Sequence, residues 1–95
     1  MTNRMKRRIR HDLSAEKPTV WVGKEGSTGQ IVNEISRQLE QREVVKAKIL
    51  RSALQKEDAR NIATKIANQS GSTLVEVRGH TFMLYRKKRK AKAAK

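Results

Sequence analysis

Gly23 and Gly26 stand three residues apart with Lys24 and Glu25 between them, and the β-prone run Val20-Trp21-Val22 leads straight into the first glycine. Glycines at this spacing let a turn aim several backbone N–H groups outward together. A helix pattern opens directly behind the second glycine, so the positive end of a helix dipole points the same way. Such a corner suits an anion, and phosphate most of all. Lys24 adds a positive charge to the loop, while Glu25 offsets it from the neighbouring position. The same four residues also fit a plain strand-to-helix turn, in which glycine merely supplies backbone angles that other residues avoid. The strand before the loop, the capped helix after it and Lys24 on it favour the phosphate reading.

Other candidates for phosphate contact are basic. Lys46 and Lys48 alternate with Val45, Ala47 and Ile49, which places both lysines on one face of a strand. That face is either simply solvated or a contact surface for phosphate. Arg78, Arg86, Lys87 and Lys88 lie on or just after a terminal hairpin and extend the same basic patch. Trp21, Phe82 and Tyr85 are able to stack on bases, but each falls in a strand pattern, where burial is the expected fate. Alternation groups Phe82 with Leu84 and Met83 with Tyr85, and Tyr85 is the aromatic expected to be more exposed.

Catalytic chemistry has little to work with. His11 and His80 sit in a basic helix and a tight turn, and the chain lacks an H-E-x-x-H, a nucleophile elbow and a Lys-Ser/Thr phosphate loop. Glu57 and Asp58 suit the start of a helix better than acid–base work. With no cysteine there is no disulfide, thiolate metal site or cysteine nucleophile. The expectation is a non-enzyme with neither metal nor cofactor.

The elements that position these residues follow from the periodicity. Met5, Ile9 and Leu13 recur every four residues over positions 2–14, which predicts a short basic helix; a disordered arm is the alternative. Pro18 disfavours helix at Lys17, and Thr19 to Val22 reads as a strand. Ser27 and Gln30 form a capping box, followed by Ile31, Val32, Ile35 and Leu39 on one face of a helix from about Thr28 to Arg42. Residues 45–49 switch to strand period. Lys56 to Gln69 returns to helix, with Ser52 and Gln55 offering an earlier start and Gly71 a left-handed stop. Residues 73–78 and 81–86 are strands joined by Gly79-His80, glycine first, as a type II′ turn requires. The order α-β-α-β-α-β-β predicts a single α/β domain, residues 1–87, built on a four-stranded mixed sheet. Residues 88–95 read as a basic flexible tail.

Charge points to the partner. The chain has a formal charge of +14 over 95 residues, and its distribution is uneven. Residues 1–10 and 86–95 hold 12 of the 23 basic side chains and no acid, leaving 11 basic against 9 acidic residues between them. A nearly balanced middle with cationic ends predicts a polyanion, and the expected one is nucleic acid. Apolar runs fall well short of the ~20 residues needed to span a bilayer, and the charged N-terminus lacks the apolar stretch of a signal peptide. The expectation is a soluble, cytoplasmic monomer.

Taken together, Val20-Trp21-Val22-Gly23-Lys24-Glu25-Gly26, the helix behind it, Val45-Lys46-Ala47-Lys48-Ile49, Gly71 and the run Val75 to Arg86 resemble the YhbY-like, or CRM (chloroplast RNA splicing and ribosome maturation), domain. The resemblance spans about residues 3–87. It implies a fold similar to the C-terminal domain of bacterial translation initiation factor three. It also implies binding of structured RNA, as a ribosomal RNA or pre-ribosomal particle of the large subunit, through Gly23, Lys24, Glu25 and Gly26, with Lys46 and Lys48 as further candidates. The alternatives are a small chromatin protein of the Alba type and a non-catalytic scaffold for a protein partner.

Overall fold

A threonine hydroxyl starts the first helix. In the computed structural model, which describes residues 2–87, Thr2 Oγ1 accepts a hydrogen bond from the Met5 amide at 3.1 Å and helix α1 runs Asn3–Ser14. The N-terminal basic segment is therefore an ordered, capped helix and not a loose arm. Lys88 and the expected tail of 88–95 lie outside the described residues.

Strand β1, Val20–Val22, turns both valines inward. Helix α2, Gly29–Arg42, opens one residue later than the capping box predicts, because Thr28 and not Ser27 takes the cap: its Oγ1 accepts from the Ile31 amide at 3.2 Å. Strand β2 is Val44–Ile49. The Ser52–Gln55 box does not start a helix; a single 3-10 turn at Ala53–Gln55 stands there instead. Asp58 caps helix α3, Ala59–Ser70, through Oδ1 on the Asn61 amide at 2.8 Å, so α3 begins three residues after Lys56. Gly71 ends it with a left-handed φ of 66°. Strands β3, Thr73–Arg78, and β4, Thr81–Tyr85, close the chain around Gly79, whose φ is +59° while that of His80 is not positive, as expected for a type II′ turn.

The sheet has the order β1-β2-β4-β3, with β1 parallel to β2 and the other two pairs antiparallel. It is the four-stranded mixed sheet that the element order predicts. Helices α2 and α3 cover one face, where Val22, Ile35, Leu39, Ile49, Ile66 and Phe82 form the main core. Helix α1 covers part of the other face, seating Ile9 and Leu13 on Val75 and Met83 with Val44 and Tyr85 alongside. A bulge between Leu74 and Glu76 sets two residues of β3 against Met83. This lets Leu74 and Val77 both reach the main core while Val75 packs under α1.

The helix behind the glycine loop is fastened to the approach to β1. Thr19 Oγ1 donates to Gln38 Oε1 at 2.5 Å, and Gln38 Nε2 donates to Glu34 Oε2 at 2.8 Å. Arg37 also donates to Glu34, and these bonds, Arg37's first, hold the Glu34 carboxyl below the usual carboxylate range.

Candidate nucleic-acid interface

The loop is a closed turn. The Gly26 amide donates to the Gly23 carbonyl at 2.8 Å, and Gly26 has a φ of +69°, a conformation glycine adopts without penalty. Gly23 differs: its φ is not left-handed, and a Cβ built there meets nothing within 4 Å. The fold itself gives Gly23 no steric reason to be glycine. Thr28 satisfies the Ile31 amide, while the amides of Lys24, Glu25, Ser27, Gly29 and Gln30 have no partner among the described residues. These N–H groups share a corner with the positive end of α2. Lys24 and Glu25 are both exposed.

Topology gathers other groups at the same end of the sheet. Parallel β1 and β2 both finish here, and the Leu50 amide continues their ladder by donating to the Val22 carbonyl at 2.8 Å. The Ile49 amide donates to the His80 carbonyl at 2.6 Å, which ties in the β3–β4 turn. Exposed Arg51, Arg78 and His80 therefore join the glycine loop at one end of the molecule. In open α/β sheets the ends of parallel strands are where ligands bind.

The expected basic residues divide. Lys48 is exposed on the sheet face opposite the main core. Lys46, expected on the same open face, turns back instead: its ammonium donates to the carbonyls of Leu13 at 2.9 Å, Ser14 at 3.3 Å and Glu16 at 2.8 Å. It caps α1, where a cation meets the negative end of the helix dipole. Lys46→Met keeps the aliphatic stem and removes the cap; a loss of about 1–2 kcal/mol is expected in urea unfolding, with the sheet core intact.

Arg86 is also held internally, at the opposite end of the sheet from the loop. Its Nη1 donates to the Ser70 carbonyl at 2.6 Å and Ser36 Oγ at 3.1 Å, and Nη2 donates to the Ser36 carbonyl at 3.0 Å. Lys87, exposed, follows it at that far end. Gly23, Lys24, Glu25, Gly26 and Lys48 thus lie toward one end, apart from Arg86 and Lys87.

Trp21 overturns the expectation that strand aromatics are buried. It is 52% exposed, whereas Phe82 is buried in the main core and Tyr85 is half-buried beside α1. The signal was in the sequence: in a three-residue strand both flanking valines face the core, so the residue between them must face away. Arg78 is linked to α1, because its Nε donates to Glu76 Oε2 at 2.9 Å while Arg10 Nε lies 3.2 Å from Glu76 Oε1. The basic surface of α1 and the hairpin therefore adjoin. No group of three or more His, Asp or Glu side chains able to hold a metal ion occurs among the described residues, and no described helix is long and apolar enough to cross a membrane.

The chain is 41% identical over 86 residues to "Probable RNA-binding protein MJ0652" of Methanocaldococcus jannaschii, covering 90% of this chain but 63% of that protein. It thus spans somewhat less than two thirds of the length of this archaeal relative. It is 30% identical over 92 residues to "Probable RNA-binding protein YqeI" of Bacillus subtilis, covering 97% of this chain and 94% of the relative. The solution structure of the hypothetical protein SAV1595 from Staphylococcus aureus superposes with a TM-score of 0.77 at 27% identity, over 95% of this chain and 92% of that one. The family described as the CRS1 / YhbY (CRM) domain matches residues 1–86, and the chain belongs to that family.

Proposed function

We propose that this chain is a non-catalytic RNA-binding protein that engages structured ribosomal RNA during assembly of the large ribosomal subunit. The observation that carries the reading is the Gly23–Gly26 turn, with its unpartnered amides and Lys24 at the open end of the sheet. The relatives named as RNA-binding proteins support the same class of ligand. In this reading the loop amides and Lys24 hold the phosphate backbone, and the shape of the RNA counts for more than its base sequence. The cationic ends raise affinity for any polyanion by releasing counterions, so they add strength and salt dependence but no selectivity. The protein acts as a cytoplasmic monomer and needs no cofactor.

The test has two parts. In a sucrose gradient at ~150 mM salt, where specific nucleic-acid complexes are normally still ~10⁻⁸ M or tighter, the tagged chain is expected to sediment with large-subunit particles or their precursors. In direct titration it is expected to prefer transcripts of large-subunit ribosomal RNA to duplex DNA of equal length. A chain that stays at the top of the gradient and binds duplex DNA equally well would be a general duplex or chromatin binder, and the proposal would fail.

A further inference from the structure

The register of the sheet lines up four side chains across its outer face. Trp21 pairs with Lys48, Lys48 with Thr81, and Thr81 with Arg78, one residue from each strand. At ~4.8 Å between strands the row is about 14 Å long. Trp21, Lys48 and Arg78 are exposed and Thr81 is half-buried. The next row along, Lys46, Met83 and Glu76, already belongs to the ground that α1 covers or binds. On the other side, continuing the register places Leu50 opposite Gly23, and Leu50 is itself 40% exposed. The row is thus an open shelf between α1 and the glycine loop. About 7 Å separates the Cα atoms of Trp21 and Gly23, at ~3.3 Å per strand residue.

The content of this shelf selects its occupant. An indole half in water offers a flat apolar surface, with Lys48 on the adjacent strand and Arg78 at the far end of the row. An apolar protein partner would have to bury the charge of Lys48, which is costly. An RNA strand satisfies both parts at once, with a base on the ring and its phosphates running over the cations. The carboxylate of Glu76, beside Arg78, is already engaged by Arg10 and Arg78. Bases inside a duplex have their faces covered by their neighbours, so the base must be unpaired.

We propose that the Trp21–Lys48–Thr81–Arg78 row is a stacking site for one unpaired base of a bound RNA, next to the loop that holds its backbone. The proposal rests on the RNA-binding reading above and adds that the bound RNA is single-stranded or bulged where it crosses β1.

Trp21 is the sole tryptophan, so its fluorescence reports this site alone. The probes are a 12-nucleotide oligoadenylate, a 12-base-pair RNA duplex and heparin, a polyanion without bases. Oligoadenylate is expected to quench the emission and heparin at equal occupancy to leave it unchanged. Trp21→Ala should weaken oligoadenylate binding by roughly 5- to 100-fold, Trp21→Phe should restore most of it, and duplex binding should change by less than about twofold. Melting curves of both variants check that the fold is intact, as the exposure of Trp21 leads one to expect. If Trp21→Ala binds oligoadenylate like wild type while Gly26→Asp weakens duplex RNA, the stacking site is wrong and the RNA reading stands. If wild type binds neither RNA better than heparin, with equal quenching by all three, both fall.

Discussion

Gly23→Asp and Gly26→Asp are each expected to weaken RNA binding by about 10- to 100-fold, or about 1.4–2.8 kcal/mol. A carboxylate at either position sets a negative charge beside the unpartnered amides and blocks the close approach that a bare glycine permits. Both substitutions have room, since a Cβ at either site meets nothing within 4 Å. Gly26→Asp carries a backbone cost from its φ of +69°, but aspartate is among the residues that accept this conformation best. Gly23→Asp carries none, which makes it the cleaner variant. Gly23→Ala separates bulk from charge: it should leave the melting temperature unchanged and still weaken binding measurably if an RNA backbone passes close to this position. Filter binding at a fixed salt concentration, with thermal melts alongside, reads both quantities. Full affinity in both aspartate variants, properly folded, would assign the binding to the cationic ends and remove the loop from the site.

Arg86→Met should be the most destabilising single change at a charged position, by about 2–3 kcal/mol, or roughly 10–20 °C in melting temperature for a domain of this size. The guanidinium joins three elements: it follows β4, bonds the α2 residue Ser36 through both hydroxyl and carbonyl, and takes the Ser70 carbonyl at the end of α3. Its side chain is only 24% exposed. Removing it strands partly buried acceptors that water reaches poorly, and the cost of such groups exceeds the net value of the bonds themselves. The contact to Glu40 at 3.8 Å adds little by comparison, because Glu40 is well exposed. Arg86→Lys should recover only part of the loss, since an ammonium lacks the planar fork that spans Ser36 and Ser70. RNA affinity, measured below the melting transition, should change little. A variant that melts like wild type but loses RNA affinity would instead make Arg86 a direct contact.

Much of this arrangement was legible because local signals agreed. The switch from a four-residue spacing at Ile31, Ile35 and Leu39 to alternation at Val45, Ala47 and Ile49 marks the helix-to-strand change without help from tertiary contacts. Gly71 and Gly79 sit where only a left-handed backbone completes the turn. The loop, likewise, could be placed from the glycines and the strand before them. The errors have particular causes. Ser27 and Thr28 both carry a capping hydroxyl, and only the extended backbone of Thr28 decides between them. A helix begun at Lys56 puts Asp58 in its first turn, whereas Asp58 is the cap itself. Lys46 and Arg86 look from the sequence like any other surface cations. Their acceptors lie 30 or more residues away for Lys46 and 16 and 50 residues away for Arg86, beyond the reach of any local pattern. The bulge in β3 defeats simple alternation, because Leu74 and Val77 have opposite parity yet share one core.

The bulge has a wider consequence. β1 and β3 are the two margins of the sheet. One is only three residues long, and the other is broken in mid-strand, where the extra residue twists the backbone and interrupts the row of free amides and carbonyls. Long, straight margins invite identical chains to pair with one another and grow into fibres. A cationic protein that crowds onto a polyanion is brought to high local concentration, and ragged margins of this kind make a poor template for such polymerisation.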